Sequence, residues 1–166
     1  MRYRRGCRGW QLAALAFILD RATKLWVTRR SAGGGPLECP APGEIIPGLV
    51  ACRPVRNTGM AFSLLSDHPW LLSAVTALAL AGIAAWLIAR PDEHPLTRAG
   101  FWLIVGGGLG NLADRLALGY VIDFIKLEFV RFAIFNVADI AVCVGAGLAL
   151  IGLMGAERGK ERRDGG

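Results

Sequence analysis

Residues Leu71 to Ala89 read LLSAVTALALAGIAAWLIA, nineteen positions without a charged side chain. A helix rises about 1.5 Å per residue, so roughly 20 such residues cross a hydrocarbon core of about 30 Å. Three other segments resemble this one. Phe132 to Ala156 (FAIFNVADIAVCVGAGLALIGLMGA) holds 25 residues with Asp139 as its only charge. Ala99 to Ala113 is uncharged and continues through Asp114 and Arg115 to Leu118. The stretch from Trp10 is apolar at first and then carries Asp20, Arg21 and Lys24. These segments predict an all-α membrane protein with four transmembrane helices, near 10–28, 69–89, 99–118 and 132–156. They form a single polytopic domain over residues 1–166 and leave no separate soluble core.

Composition agrees. The chain is 54% hydrophobic and 19% charged, with a mean hydropathy of +0.44, whereas soluble domains carry about 25% charged residues. That excess excludes a disordered chain, and four cysteines in 166 residues exclude a disulfide-dense secreted scaffold. The first apolar segment follows Arg2, Arg4, Arg5 and Arg8, as in a signal peptide. It runs into Asp20-Arg-Ala-Thr-Lys24 with no small-residue cleavage site, so it is expected to be retained.

Lysine and arginine cluster in the amino tail, in the link after Ala89 (RPDEHPLTR) and in the carboxy tail (ERGKERRDGG). They are sparse in the two other loops, so both termini are expected in the cytoplasm. The net charge of +6 then reads as topology and contact with anionic membrane lipid. No basic stripe interleaved with aromatics supports a nucleic-acid site. Gly33, Gly34, Gly35 and Pro36 mark a flexible turn in the first outer loop. The run Tyr120 to Ile134 (YVIDFIKLEFVRFAI) is too charged to span and too apolar to be fully wet. It is expected to lie in the outer interface as an amphipathic helix.

Ionisable groups inside a membrane cost on the order of 2.5–3.5 kcal/mol each and mark function by default. Asp20 and Lys24 are four residues apart on one helix face, the favourable order for an ion pair. Asp114 and Arg115 are adjacent and point apart, so at least one needs a partner on another element. Asn111 extends this polar face. Asp123 lies just past the end of the third span and Asp139 about two turns inside the fourth. Because the chain reverses between them, both carboxylates can reach similar depth. Two carboxylates sharing a poorly hydrated site share one proton, which suits aspartyl proteolysis: one acid activates water and the other donates to the scissile carbonyl oxygen. The bland alternative is that each aspartate caps a helix or pairs with Arg115 or Lys126.

Other chemistries lack their residues. His68 and His94 fall in loops on opposite sides of the membrane, which disfavours paired haem ligation. No metal-ligand spacing occurs, so no metal is expected, and no nucleophilic-serine constellation is present. Gly106 to Gly110 (GGGLG) reads as a close helix-packing face. Cys39 and Cys52 share the outer loop and can pair there. Cys143 is expected to pack as a small apolar residue, and Cys7 falls in the cytoplasmic tail. Leu49-Val-Ala-Cys52 looks like a lipobox but follows no signal-type stretch and is read as coincidence.

Five motifs in order resemble the bacterial lipoprotein signal peptidases (type II signal peptidases). They are Asp20-x-x-x-Lys24, Asn57-Thr-Gly-Met-Ala-Phe-Ser63, Gly110-Asn-Leu-Ala-Asp-Arg115, Gly119-Tyr-Val-Ile-Asp-Phe124 and Phe135-Asn-Val-Ala-Asp139. Each is weak alone; together, on a four-span chain of this length, they are specific. The resemblance implies a bacterial inner-membrane aspartyl endopeptidase without metal or cofactor. Such an enzyme removes signal peptides from diacylglyceryl-modified prolipoproteins, on the amino side of the lipidated cysteine. Its catalytic pair falls on Asp123 and Asp139, near the outer leaflet. The resemblance further implies that Asn57, Gly59, Asn111, Arg115, Asn136 and Ala138 line the substrate site, with Asp20, Lys24 and Asp114 supporting it. It also implies a small extracytoplasmic β element before span two, a lid formed by the interfacial segment before span four, and a monomer.

Met60 stands where the family has a smaller residue. Pro54 interrupts an expected strand, which requires an edge or a bulge there because proline cannot donate to a ladder. The rival class is a small proton-coupled transporter or channel subunit, since intramembrane Asp, Lys and Arg also mark ion paths. No internal repeat is visible to support it. A third is a non-catalytic membrane assembly factor using the Gly/Ala-rich faces.

Overall fold

The computed structural model describes residues 9–29, 43–59 and 69–164. Four helices and a small sheet follow one another: α1 (Trp10–Thr28), β1 (Gly43–Ile46), β2 (Val50–Asn57), α2 (Pro69–Ala89), α3 (Pro95–Leu118), β3 (Val121–Leu127) and α4 (Val137–Asp164). The chain is mostly helical, and α2 and α4 are long and apolar enough to cross a membrane. Cys7, Cys39, His68, Met60 and the Gly33–Pro36 turn lie outside the described residues.

Local chemistry sets the helix ends. Proline opens α3 at its first turn, where a missing N–H costs nothing. Gly119 closes α3 in the left-handed region (φ 80°), its N–H donating to Arg115 O. Arg98 reaches back from α3 to donate to Leu87 O (2.9 Å) and to Arg90 O, satisfying carbonyls at the end of α2.

Helix α3 is central and packs against α1, α2 and α4. Its glycines allow this approach. A Cβ on Gly106 would collide with the α1 backbone at Ala13, one on Gly107 with Ala138 O of α4, and one on Gly108 with Leu80 of α2. The Gly106 to Gly110 run is therefore the packing face expected from its composition.

Burial in α1 is reversed from that of a soluble helix. The buried positions Ala13, Ala16, Asp20, Lys24 and Val27 recur every three or four residues and include two of its three charged residues. Leu15, Ile18, Leu19, Leu25 and Trp26 face outward. Thus α1 turns its ionic groups into the bundle and its large apolar groups away from it.

The sheet has the order β1-β2-β3, antiparallel throughout. The ladder between β2 and β3 shifts register between Cys52 and Val55. Pro54 therefore sits at a bulge within a central strand. Val27, Cys52, Ile122 and Phe124 form a buried cluster that joins the sheet to the end of α1.

Two sequence expectations change here. The 120–134 segment is not an amphipathic helix: Val121–Leu127 is a strand, and Phe135 bridges back to Ile125. The reason is non-local, because its backbone groups are satisfied by β2, more than sixty residues earlier. The fourth helix begins at Val137 and not near Phe132, which puts Asp139 in its first turn. Cys143 is exposed on α4, not packed as expected. Cys52 is buried and disulfide-bonded.

Candidate active site

Helix α4 starts with a reciprocal cap. Asn136 Oδ1 accepts the Asp139 backbone N–H at 3.0 Å, and Asp139 Oδ2 accepts the Asn136 backbone N–H at 3.0 Å. This is a capping box, in which the residue before the helix and its third residue satisfy each other's orphan donors. The N-x-x-D spacing carried this signal in the sequence, but placing the segment inside a span hid it.

The same Asn136 side chain reaches β3. Its Nδ2 donates to Asp123 Oδ1 at 2.6 Å, while Asn57 Nδ2, from the end of β2, donates to Asp123 Oδ2 at 2.8 Å. Asp139 Oδ1 receives the Asn111 Nδ2 from α3 at 2.8 Å. The structure thus brings together the two aspartates singled out from the sequence, with the fully buried Asn136 bonded to both. Asp123 is 2% exposed and Asp139 is half-buried. Burial, reinforced by the charge of Asp139, pushes the Asp123 carboxyl above its ordinary range. The Asn57 and Asn136 N–H bonds and Lys24 oppose that push.

Gly59 enters through its backbone. Its N–H donates to Asn57 Oδ1 at 2.8 Å from a left-handed conformation (φ 88°) that favours glycine. The bond turns the amide of Asn57 towards Asp123.

Behind the aspartates lies an ionic cluster, fully buried at both acids. Asp20 meets Lys24 at 3.1 Å and Arg21 at 2.9 Å. Asp114 meets Lys24 at 2.8 Å and Arg21 at 2.7 Å, and also accepts the Ile122 N–H at 3.1 Å. Two acids and two bases balance, as buried charges require. The expected i,i+4 pair is present, and the outside partner required for Asp114 turns out to be on α1. Sequence reading missed Arg21 in this role, because its adjacency to Asp20 concealed a shared partner on α3.

Asp20 also accepts the Ala138 N–H at 3.2 Å, placing a carboxylate at the amino end of α4, where the helix dipole favours it. Ala138 is fully buried, and its carbonyl faces Gly107. Arg115 is half-buried and forms no ion pair among the described residues, although Asp139, Asp123 and Asp114 all act on it electrostatically. Lys126 pairs with Glu128 at 3.1 Å, not with an aspartate. No cluster suited to a metal occurs among the described residues.

Two carboxylates held by N–H donors, one of them half-open and the other inclined to keep its proton, can perform general acid–base chemistry on a bound carbonyl. Comparison with known proteins finds peptidases among the chain's relatives. A lipoprotein signal peptidase from Symbiobacterium thermophilum is 42% identical over 149 residues, covering 89% of this chain and 94% of the relative. One from Streptococcus pyogenes serotype M1 is 39% identical over 137 residues, covering 82% and 86%. A bacterial membrane enzyme solved by the in meso method at 2.3 Å superimposes with a TM-score of 0.77 at 26% identity, covering 92% of this chain and 90% of that one. A second, at 1.9 Å, gives 0.73 at 26% identity, covering 87% and 91%. The transporter reading finds no support among them. Residues 12–154 match the peptidase family described as Signal peptidase (SPase) II, and the chain belongs to that family.

Proposed function

We propose that this chain cuts diacylglyceryl-modified prolipoproteins on the amino side of the lipidated cysteine, with Asp123 and Asp139 as its catalytic pair. It is a protease of the signal peptidase II family, and removal of signal peptides from prolipoproteins is its function. The observation that carries the catalytic assignment is Asn136, which donates from its side chain to Asp123 and from its backbone to Asp139.

In the reaction the ionised Asp139 takes a proton from water as its oxygen attacks the scissile carbonyl carbon. Asp123, the carboxyl favoured to hold its proton, donates to the carbonyl oxygen. The tetrahedral intermediate then collapses: one of its hydroxyl protons returns to Asp123 as the C=O re-forms, the C–N bond breaks, and the proton on Asp139 passes to the departing amine. Arg115, in no ion pair among the described residues, faces the substrate on this reading. Asn57, Asn111 and Asn136 act by holding the two acids, and Gly59 and Ala138 act through their backbone N–H groups.

The bundle is read as one polytopic domain of four crossings. Support comes from the apolar α2 and α4 and from the outward apolar face of α1. The lysine and arginine distribution supports cytoplasmic termini in the bacterial inner membrane. A substrate anchored by its lipid at the outer surface requires the dyad at that depth. There, surrounding membrane lipid and the sheet exclude water and strengthen the electrostatics. One copy of the chain supplies every group used.

The test is incubation of the purified enzyme with modified and unmodified precursor. Asp123→Asn and Asp139→Asn are each expected to give an inserted protein that leaves the modified precursor uncut. Full activity in either variant overturns the assignment.

A further inference from the structure

An asparagine side chain has a donor end and an acceptor end of the same shape, so only its partners decide which way it points. Lys24 Nζ can only donate. Its three protons go to Asp20 Oδ1 at 3.1 Å, Asp114 Oδ2 at 2.8 Å and Asn111 Oδ1 at 3.0 Å. The last contact, together with Asn136 Nδ2 at 3.0 Å on the same oxygen, turns the oxygen of Asn111 away from the acids. The Asn111 N–H end is left against Asp139 Oδ1 at 2.8 Å.

The lysine itself cannot drift. It is 2% exposed, and two carboxylates from different helices hold it, Asp20 of α1 and Asp114 of α3. Arg21 bridges those same carboxylates through their other oxygens, so Lys24 and Arg21 each supply one of the two charges that balance the acids. What Lys24 supplies and Arg21 does not is the bond to Asn111. Its charge also polarises that amide, which strengthens the N–H donated onward to Asp139.

We propose that Lys24 is a positioning residue for proteolysis: it fixes and polarises the Asn111 amide, and through it holds Asp139 in the geometry that receives the water proton. This deepens the reading that Asp139 is catalytic and rests on it. A purely structural role, neutralising Asp20 and Asp114, makes a different prediction. It affects the amount of folded protein and not the rate of the folded enzyme.

A double-mutant cycle separates the two. Lys24→Met, Asn111→Leu and the double variant are purified in lipid and assayed on modified precursor, with kcat counted per folded enzyme. Loss of one positioning bond to a charged group predicts a fall in kcat of about tenfold to a hundredfold in each single variant, with KM nearly unchanged. Adding Lys24→Met to Asn111→Leu is expected to change nothing further, because the path is already cut. Lys24→Arg, which keeps a charged donor, is expected to recover part of the rate. The proposal is overturned if the two losses multiply in the double variant, or if folded Lys24→Met retains full kcat. Should Lys24→Met fail to fold, Lys24→Gln runs the same cycle with the same outcomes. Asp139→Asn in parallel isolates the parent reading. If it keeps full activity the dyad fails, whereas coupling lost with Asp139→Asn inactive indicts Lys24 alone.

Discussion

Replacing Asn136 with alanine removes the Asp123 contact at 2.6 Å and the side-chain half of the α4 cap together. The cap is worth ~1 kcal/mol of stability. The misplaced carboxylates are expected to cost about a hundredfold in kcat, the scale on which small displacements act. A melting curve and a cleavage assay on one preparation read both; a rate loss no larger than the stability loss would count against the dyad. Asp123 makes a separate, pH-dependent prediction. Its folded carboxyl holds a proton more tightly than the unfolded chain does. Stability from this group is fully present below the ordinary carboxylate pKa and declines as pH rises through the higher folded value. Melting temperature against pH is expected to slope down over that window, and Asp123→Asn to flatten the slope. Both aspartates were legible in the sequence as unusual charges beside apolar runs. Their common tether was not, because Asn136 gains its second role only when β3 lies against the start of α4.

Helix α3 meets α1, α2 and α4 through consecutive glycines, and the penalty for adding volume differs sharply along the chain. Gly107→Ala pushes a methyl group into Ala138 O, whereas Gly147 has open space where its Cβ would lie. Overpacking at the first site is expected to cost about 1–3 kcal/mol. Gly147→Ala is expected to be neutral or stabilising, since alanine is the better helix former. Denaturation of both variants in detergent checks the contrast. The sequence made α2 and the glycine face of α3 legible because helix periodicity and helix contacts are local matters of composition. It hid β3 because VIDFIKL lacks the alternation of a half-wet strand: Val121, Ile122, Asp123 and Phe124 are all buried. Its ladder partner β2 lies far away in sequence. Pro54 was legible as a break in the strand, and its position at the bulge shows how a central strand accommodates it.

Among the described residues the bundle places Asp20, Lys24 and Asp114 inside and large apolar groups such as Leu15, Ile18, Leu78 and Ile88 outside, an arrangement suited to lipid and costly in water. On the four-crossing reading, Arg53 and Glu93 face opposite compartments. In a variant lacking Cys7 and Cys143, an Arg53→Cys thiol is expected to react with a membrane-impermeant reagent in cells with a permeable outer layer. A Glu93→Cys thiol is expected to react only after the inner membrane is opened, and the reverse pattern would refute the orientation. One further consequence follows from the shared cap at Asn136. The bonds that begin α4 also bring Asp123 and Asp139 into register, and Asp20 of α1 closes the same helix end. Helices α1 and α4, far apart in sequence, must therefore meet before this arrangement exists. On the proposed reading, a chain in which α1 and α4 have not yet met holds no assembled pair of acids and cannot cut before it is folded.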